Sequence, residues 1–462
     1  MKKKLLHLIL ITALAIFGLN NQLKAQLIAA GGNHSLFICS DSTVKTWGSN
    51  AQGQLGNGTN TDSSIPVSVS SLTGITNIAG GLLHSLALKS DGTVKTWGIN
   101  SDGQLGNGTN IDANIPLQVS SLLNIIAIEG GYYHSLALKN DGTVRGWGRN
   151  GQGQLGNGNN TSSNLPVQAS SLTGIIKIAA GNGQSLALKN DGTVWAWGAN
   201  GDGQLGNGTN ADSNVPVQVS VLTGIINITA GNRHSLALKN DGTVWVWGYN
   251  NKGQLGNGTT TNSNVPVQVS SLTGIIAIAA GVQHSLCLKT NGTVWAMGNN
   301  VNGELANGTY INSSIPVQVS SLTNITAIAT GFGHSLSLKN DGTVWSWGNN
   351  VSGQLGNGTT TNGNLPVHAT GLCVVTAIKE NLIENLISVY PNPSSGIFQL
   401  TFNNMLSTIG EIEIFNMFGE NVYTTCNIKQ QMQIDLSHLS KGVYFIKVYS
   451  GAKVYNQKIV IQ

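Results

Sequence analysis

Charge is what this sequence has least of. Asp, Glu, Lys and Arg make up 9% of its 462 residues, against about 25% in an ordinary soluble domain. The formal balance of +4 rests on Lys2, Lys3, Lys4 and Lys24, all within an N-terminal stretch built like an export signal. Without those four, 19 of the 23 basic residues remain, against 19 acidic ones. A neutral chain lacks the basic footprint that nucleic acid or an anionic membrane surface selects, which argues against both as partners. Long apolar runs are also missing beyond residue 25. The one run, from Leu5 to Leu19, spans ~15 residues and falls short of the ~20 that cross a bilayer. Residues 1–25 therefore read as a signal peptide cut between Ala25 and Gln26, leaving no membrane span in the mature chain.

Recognisable catalytic patterns are absent too. There is no nucleophile elbow, no zinc-protease helix and no pair of carboxylates that spacing would bring together. The Gly-rich run at 253–258, GQLGNG, lacks the Gly-Lys-Ser/Thr ending and no helix follows it, so it is not a phosphate loop. NSDG (100–103) and NGDG (200–203) lack the downstream bidentate Glu of a calcium loop. The 4 Cys show no metal spacing. Cys39 and Cys373 fall in the first and last repeat units, where an exported chain has the opportunity for a disulfide clasp. No cofactor and no metal are expected.

What the sequence does have is repetition. One unit recurs every 50 residues, marked by His34, His84, His134, Gln184, His234, His284 and His334. The 60 Gly punctuate short apolar runs, the pattern of β-structure joined by tight turns. The fifth copy and its continuation offer four strand candidates: HSLALK (234–239), TVWVWG (243–248), PVQVS (266–270) and IIAIAA (275–280). NDG (240–242) reads as a hairpin turn. Four strands repeated seven times predict an all-β chain, a seven-bladed β-propeller over residues 26–379. Ring closure is expected to carry the last strands (Pro366–Ala369 and Val374–Ile378) into the first blade. A linker at 380–386 precedes a separate small β-sandwich domain at 387–462.

The repeat resembles that of the regulator of chromosome condensation family. The resemblance rests on Gly-x-x-His-Ser-Leu-x-Leu, Asp-Gly-x-Val-x-x-Trp-Gly, Asn-x-x-Gly-Gln-Leu-Gly-x-Gly and the Pro that follows. It covers about three quarters of the chain and implies a seven-bladed propeller. The tail resembles the C-terminal sorting domain of the type IX secretion system. Tyr390, Pro391, Asn392 and Pro393 carry that likeness, together with Gly396, Gly419, Leu436-Ser437, Gly442-Val443-Tyr444 and Lys458. It implies delivery by the type IX machinery to the surface or medium of a Bacteroidetes-type bacterium.

Within the array, the six His are expected to be structural, one hydrogen bond inside each blade, since seven-fold related side chains do not converge on one ion. Trp47, Trp97, Trp147, Trp197, Trp247 and Trp347, with Met297 in the sixth unit, read as packing between blades. Trp195, Trp245, Trp295 and Trp345 alternate with Lys45, Lys95 and Arg145, which suggests a semi-exposed site and a possible sugar-stacking strip. The turns that vary from unit to unit are GxxH and the loop after WG, at one end of every blade. Leu82, Leu83, Tyr132, Tyr133, Arg149, Arg233, Tyr249 and Phe332 are the candidate binding face, because loops on a rigid scaffold carry recognition and Tyr and Arg anchor interfaces. The expected function is non-catalytic binding of an extracellular protein or glycan. The alternatives are a secreted enzyme acting on polysaccharide and a guanine-nucleotide-exchange propeller, the latter at odds with export.

Overall fold

The computed structural model describes residues 27–373, 387–402, 409–416, 421–450 and 453–461. The signal peptide, the linker at 380–386, Val374–Ile378 and Gly419 lie outside the described residues. Two compact units divide the chain, Met1–Val375 and Thr376–Gln462.

The first unit is built from seven four-stranded antiparallel sheets, each strand hydrogen-bonded to its neighbours in sequence. These are blades 1 to 7, over 28–68, 75–118, 125–168, 175–218, 225–268, 275–318 and 325–368. Blade 5 shows the plan with Ile225–Ala230, His234–Lys239, Val244–Gly248 and Ser263–Gln268. The first strand lies innermost, and the first strands of all seven blades surround one central channel. In the second strand Leu236 and Leu238 face blade 6, while small Ala237 faces blade 4. Both faces of the strand are buried. Large side chains of one blade thus meet small ones of the next, the complementarity by which cores reach close packing. The fourth strand is the outer edge, where Pro266 removes no needed donor.

The segment 275–280 is the innermost strand of blade 6, so each blade begins before its GxxH turn. Among the described residues no strand crosses the seam, contrary to the expectation for Pro366–Ala369. Ile28–Ala30 pairs with His34–Ile38 inside blade 1, and Gly363–His368 pairs with Val344–Gly348 inside blade 7. The seam closes instead by the contacts of every other interface. Ile28, Phe37 and Trp47 pack against Ala329, Leu336 and Val344, and Gly358 N–H donates to Ser64 O at 2.9 Å. A Cys39–Cys373 disulfide is added there, joining residues 334 apart in sequence.

The second unit pairs a three-stranded sheet (Ile387–Tyr390, Ile397–Phe402, Gln431–Asp435) with a four-stranded one (Asn421–Thr425, Ile409–Phe415, Gly442–Ser450, Lys453–Ile461). Phe398, Leu400, Ile412, Ile414, Ile446 and Ile459 form the core between them. The motif residues hold one corner of this sandwich. Both X-Pro bonds of Tyr390-Pro391-Asn392-Pro393 are cis, and Asn392 Oδ1 accepts from Val460 N at 2.9 Å. Tyr444 O–H donates to Ser440 O at 2.7 Å, two residues before the strand that Gly442 opens. Lys458 stands opposite Phe445 in the ladder of the last two strands.

Candidate functional site

The GxxH turns and the loops after WG lie at the same end of the blades. The backbone N–H of the residue after WG donates to the carbonyl just before the His. Arg149 to Tyr133 and Tyr249 to Arg233 (both 2.8 Å) are examples. This end surrounds the channel mouth, a cavity of about 70 Å³ ringed by Gly residues of every blade.

What holds the ring at this depth is a belt running from blade to blade. His34 Nε2 bonds Ser85 Oγ at 2.8 Å. The same pairing joins His84 to Ser135, His134 to Ser185, His234 to Ser285 and His284 to Ser335, and His334 to Ser35 across the seam. The expected bond inside each blade is therefore corrected: it crosses to the next one, because the His ring points along the circumference over a neighbouring Gly. Ser85 Oγ uses its proton on Gln54 O at 2.8 Å, so His34 Nε2–H is the donor and Nδ1 carries a bare lone pair. Nδ1 is buried without a partner in His34, His84, His134, His234 and His334. Burial holds these imidazoles neutral. The values fall to about 4 at His34 and His134 and to about 3 at His84, His234 and His334. His284 falls to about 4 by burial, against the pull of Glu304. Blade 4 breaks the belt: Gln184 Nε2–H reaches Gly231 O at 3.0 Å rather than Ser235.

The same loop explains the rest of the repeated wording. Asn50 is wholly buried; its Oδ1 accepts from Leu55 N and its Nδ2–H donates to Thr59 O and Thr61 O. Gln54 O also accepts Trp97 Nε1–H at 2.8 Å, tying the first loop to the second blade. Gly56 has φ +66°, and a Cβ there would stand 2.7 Å from the Trp97 ring. These words are scaffold.

Of the candidate binding residues, the structure divides the set. Leu82, Tyr132 and Phe332 turn inward and line the channel mouth with Asn232 and Val282. Tyr132 and Phe332 come from blades 3 and 7 and stack with ring centroids 6.1 Å apart, plugging the mouth. The Tyr132 hydroxyl is buried without a partner, and burial pushes its pKa up. Leu83, Tyr133, Arg149, Arg233 and Tyr249 lie outward on the loop tops. The Arg149 guanidinium covers the Tyr133 ring, 5.5 Å from its centroid. Arg233 Nη1 meets Asp202 Oδ2 at 3.3 Å.

Further members of this face escaped the sequence reading. Val301, Tyr310 and Ile311 are exposed on the loop after the sixth unit's Met-Gly, and Val351 on that of blade 7. Unit-against-unit comparison shows them, since Val301 and Val351 stand where other units carry Ala51, Ser101, Gly151, Gly201 and Asn251. Glu304 takes the place of the repeated Gln and is nearly buried. It accepts from Asn299 Nδ2 at 2.7 Å and from Asn302 N at 2.8 Å. On the innermost strands, burial pushes Glu129 up to about 7 and lowers Lys177, each moderated by the other's charge.

Elsewhere the chemistry is quiet. Cys287 is buried and its thiol pushed up to about 12, which suits packing rather than nucleophilic work. Among the described residues no group of three or more His, Cys, Asp or Glu could hold a metal ion. The Trp strip does not stand free for stacking. Trp195, Trp245 and Trp295 are half-buried in the blade interfaces, with indole N–H groups sealed from solvent. Lys289 and Lys339 lie over Trp295 and Trp345.

Comparison with known proteins agrees with this geometry. Residues 73–381 match the RCC1-like domain, and 41–88 and 26–54 each match a regulator of chromosome condensation (RCC1) repeat. Residues 388–462 match the secretion system C-terminal sorting domain. The structure of human WBSCR16 is similar with a TM-score of 0.65 and 24% identity, over 71% of this chain and 94% of that one. Prp20p from Saccharomyces cerevisiae, described with its binding to Gsp1p and histones, gives 0.63 and 23%, over 71% and 85%. Yeast RCC1 (Prp20) bound by Kap60 gives 0.64 and 21%, over 75% and 86%. No curated protein sequence matches the chain. Identities this low speak for the fold alone, but the family match spans most of the chain. The chain belongs to the RCC1-like domain family, as a seven-bladed propeller with a secretion-system sorting domain at its C-terminus.

Proposed function

We propose that the propeller is a non-catalytic binding module, exported through the type IX secretion system and presented at the cell surface or in the medium. It recognises an extracellular protein or glycan through the loops around the channel mouth. One observation carries this reading: on identical blade frames, those loops bear different side chains in different sectors. Blades 3 and 5 present Tyr133, Arg149, Arg233 and Tyr249, while blades 6 and 7 expose Val301, Tyr310, Ile311, Phe332 and Val351. Exposed apolar and Tyr/Arg groups gathered on one face are the composition of recognition surfaces. Most carboxylates near that face are engaged, Glu304 by Asn299 and Asn302 and Asp202 by Arg233 and Asn262, and Asp102 on blade 2 has no second free acid beside it among the described residues. This disfavours the polysaccharide-cleaving alternative, which needs a free acid and base across a cleft. Nucleotide exchange on a cytosolic GTPase is disfavoured by the sorting domain.

The test is affinity capture from culture medium and cell-surface extracts. The baits are the mature chain and a variant with Tyr133, Arg149 and Arg233 changed to Ala and Val301 and Val351 changed to Asp. A protein or polysaccharide retained by the first and lost by the second is expected. Equal retention by both refutes the face.

A further inference from the structure

Resting on that reading, we infer that the sector over blades 3 to 5 is a site for an acidic saccharide. Its walls are two pairs written in opposite order. On blade 3, Tyr133 sits before the His and Arg149 after the WG. On blade 5, Arg233 sits before and Tyr249 after. The N–H···O bonds of 2.8 Å, Arg149 to Tyr133 and Tyr249 to Arg233, hold each pair on one loop top.

Blade 4 between them carries the two smallest residues at the same positions, Gly183 and Ala199, also joined by a 2.8 Å N–H···O bond. Ala199 is 6% exposed, and a Cβ at 183 would lie 3.1 Å from its methyl and 2.5 Å from Gln152 Oε1. We read this as a shallow depression one blade wide, flanked by two phenols and two guanidinium groups. Its floor is polar: Gln152, itself exposed, lays its Oε1 over buried Gly183, and Asn182 Nδ2–H donates to Asn232 Oδ1 at 2.8 Å.

The chemistry selects the ligand. Side-chain amides match hydroxyl groups, and a phenol ring offers a face to the C–H side of a pyranose. A protein interface would want an apolar pocket at its centre, and none of the residues named here supplies one; the exposed aliphatic groups of the face lie over blades 6 and 7 and at Ile111 on blade 2. The two Arg favour an oxyanion. Arg149 makes its one described contact with the Tyr133 ring, which leaves its N–H edge free. Arg233 shares Asp202 with Asn262, and its side chain is 54% exposed. Forked guanidinium donors fit a uronate carboxylate or a sulfate ester equally well.

The experiment measures binding of the full mature chain to polygalacturonate, dextran sulfate, uncharged dextran and poly-glutamate at low and high salt. Binding to polygalacturonate or dextran sulfate is expected, weakened by salt and not matched by uncharged dextran. Which of the two binds more tightly tells carboxylate from sulfate. Arg149→Ala with Arg233→Ala should weaken that binding at least about tenfold, the loss expected of charge-assisted contacts. Gly183→Gln, which crowds Gln152 and Ala199, should do the same, with circular dichroism checking that the propeller is still folded. Equal binding to uncharged dextran overturns the acidic preference, and binding to poly-glutamate alone overturns the saccharide. If no polymer binds while capture still separates the chain from its mouth-face variant, this inference fails and the broader function stands. If capture fails as well, both fall.

Discussion

Acidification should unfold this propeller at a pH where most exported proteins are comfortable. Six buried imidazoles have folded-state pKa values of about 3 to 4, against about 6.5 in an unfolded chain. A folded value below the unfolded one gives stability that is present above about pH 6.5 and is lost as pH falls towards the folded value. Between about pH 7.5 and pH 5.5 each imidazole forfeits about 1.4 kcal/mol, so six together forfeit about 8 kcal/mol. That sum matches the whole stability of many domains, about 5–15 kcal/mol. It depends little on the folded values, provided they stay below about 4.5. Glu129 acts with the opposite sign, because its folded value is raised to about 7. It is half-buried, and it offsets no more than about one and a half imidazoles. The turn carboxylates, such as Asp141 and Asp241, have lowered values and titrate below this window. Urea unfolding of the mature chain at about pH 7.5, 6.5 and 5.5 measures the slope directly. A single His→Gln variant, copying the residue already present at Gln184, should flatten the slope by about one proton. A stability that does not change across this range would refute the belt as described.

Three further outcomes follow from the same interfaces. Closing a loop of more than 300 residues, the Cys39–Cys373 disulfide contributes up to about 5 kcal/mol in the chain-entropy view. Reduction should lower the denaturation midpoint and make the intact mass heavier by two hydrogens, and an unchanged mass sinks the pairing. Gln184→His should complete the belt to Ser235 and add about 0.5–1.5 kcal/mol at neutral pH. The gain should vanish near pH 5.5, where the new imidazole joins the others; chemical unfolding at both pH values reads it. Deleting residues 387–462 should leave a folded propeller in the periplasm, followed by cell fractionation, and normal appearance outside the cell would contradict the sorting role.

The 50-residue period made the strands legible, since Leu236, Leu238 and the Asn240–Gly242 turn are local signals that no neighbour alters. Relations between copies were less legible. The period of His34 and Ser85 is the same whether the bond stays in one blade or crosses to the next, and only the three-dimensional stagger of the sheets decides. The frame of the blade was hidden for the same reason, because a cyclic text has no obvious first word. Of the candidate face, sequence variation located the loops correctly in the chain. It did not distinguish Tyr132, whose side chain falls into the channel, from Tyr133, which stays outside. Val301 and Val351 were passed over because Val is unremarkable in composition, and only its exposure here gives it meaning.

The ring has no privileged seam. The interface between the last blade and the first repeats the His–Ser bond found at five of its six fellows, and Leu27 and Cys373 meet in one apolar cluster. Such a chain is a natural candidate for circular permutation. Joined from 373 back to 27 and opened at the turn near Asn240, it would wind up the same wheel from a different starting blade. The one element that remembers where translation began is the disulfide, which marks the two ends as a clasp marks a necklace.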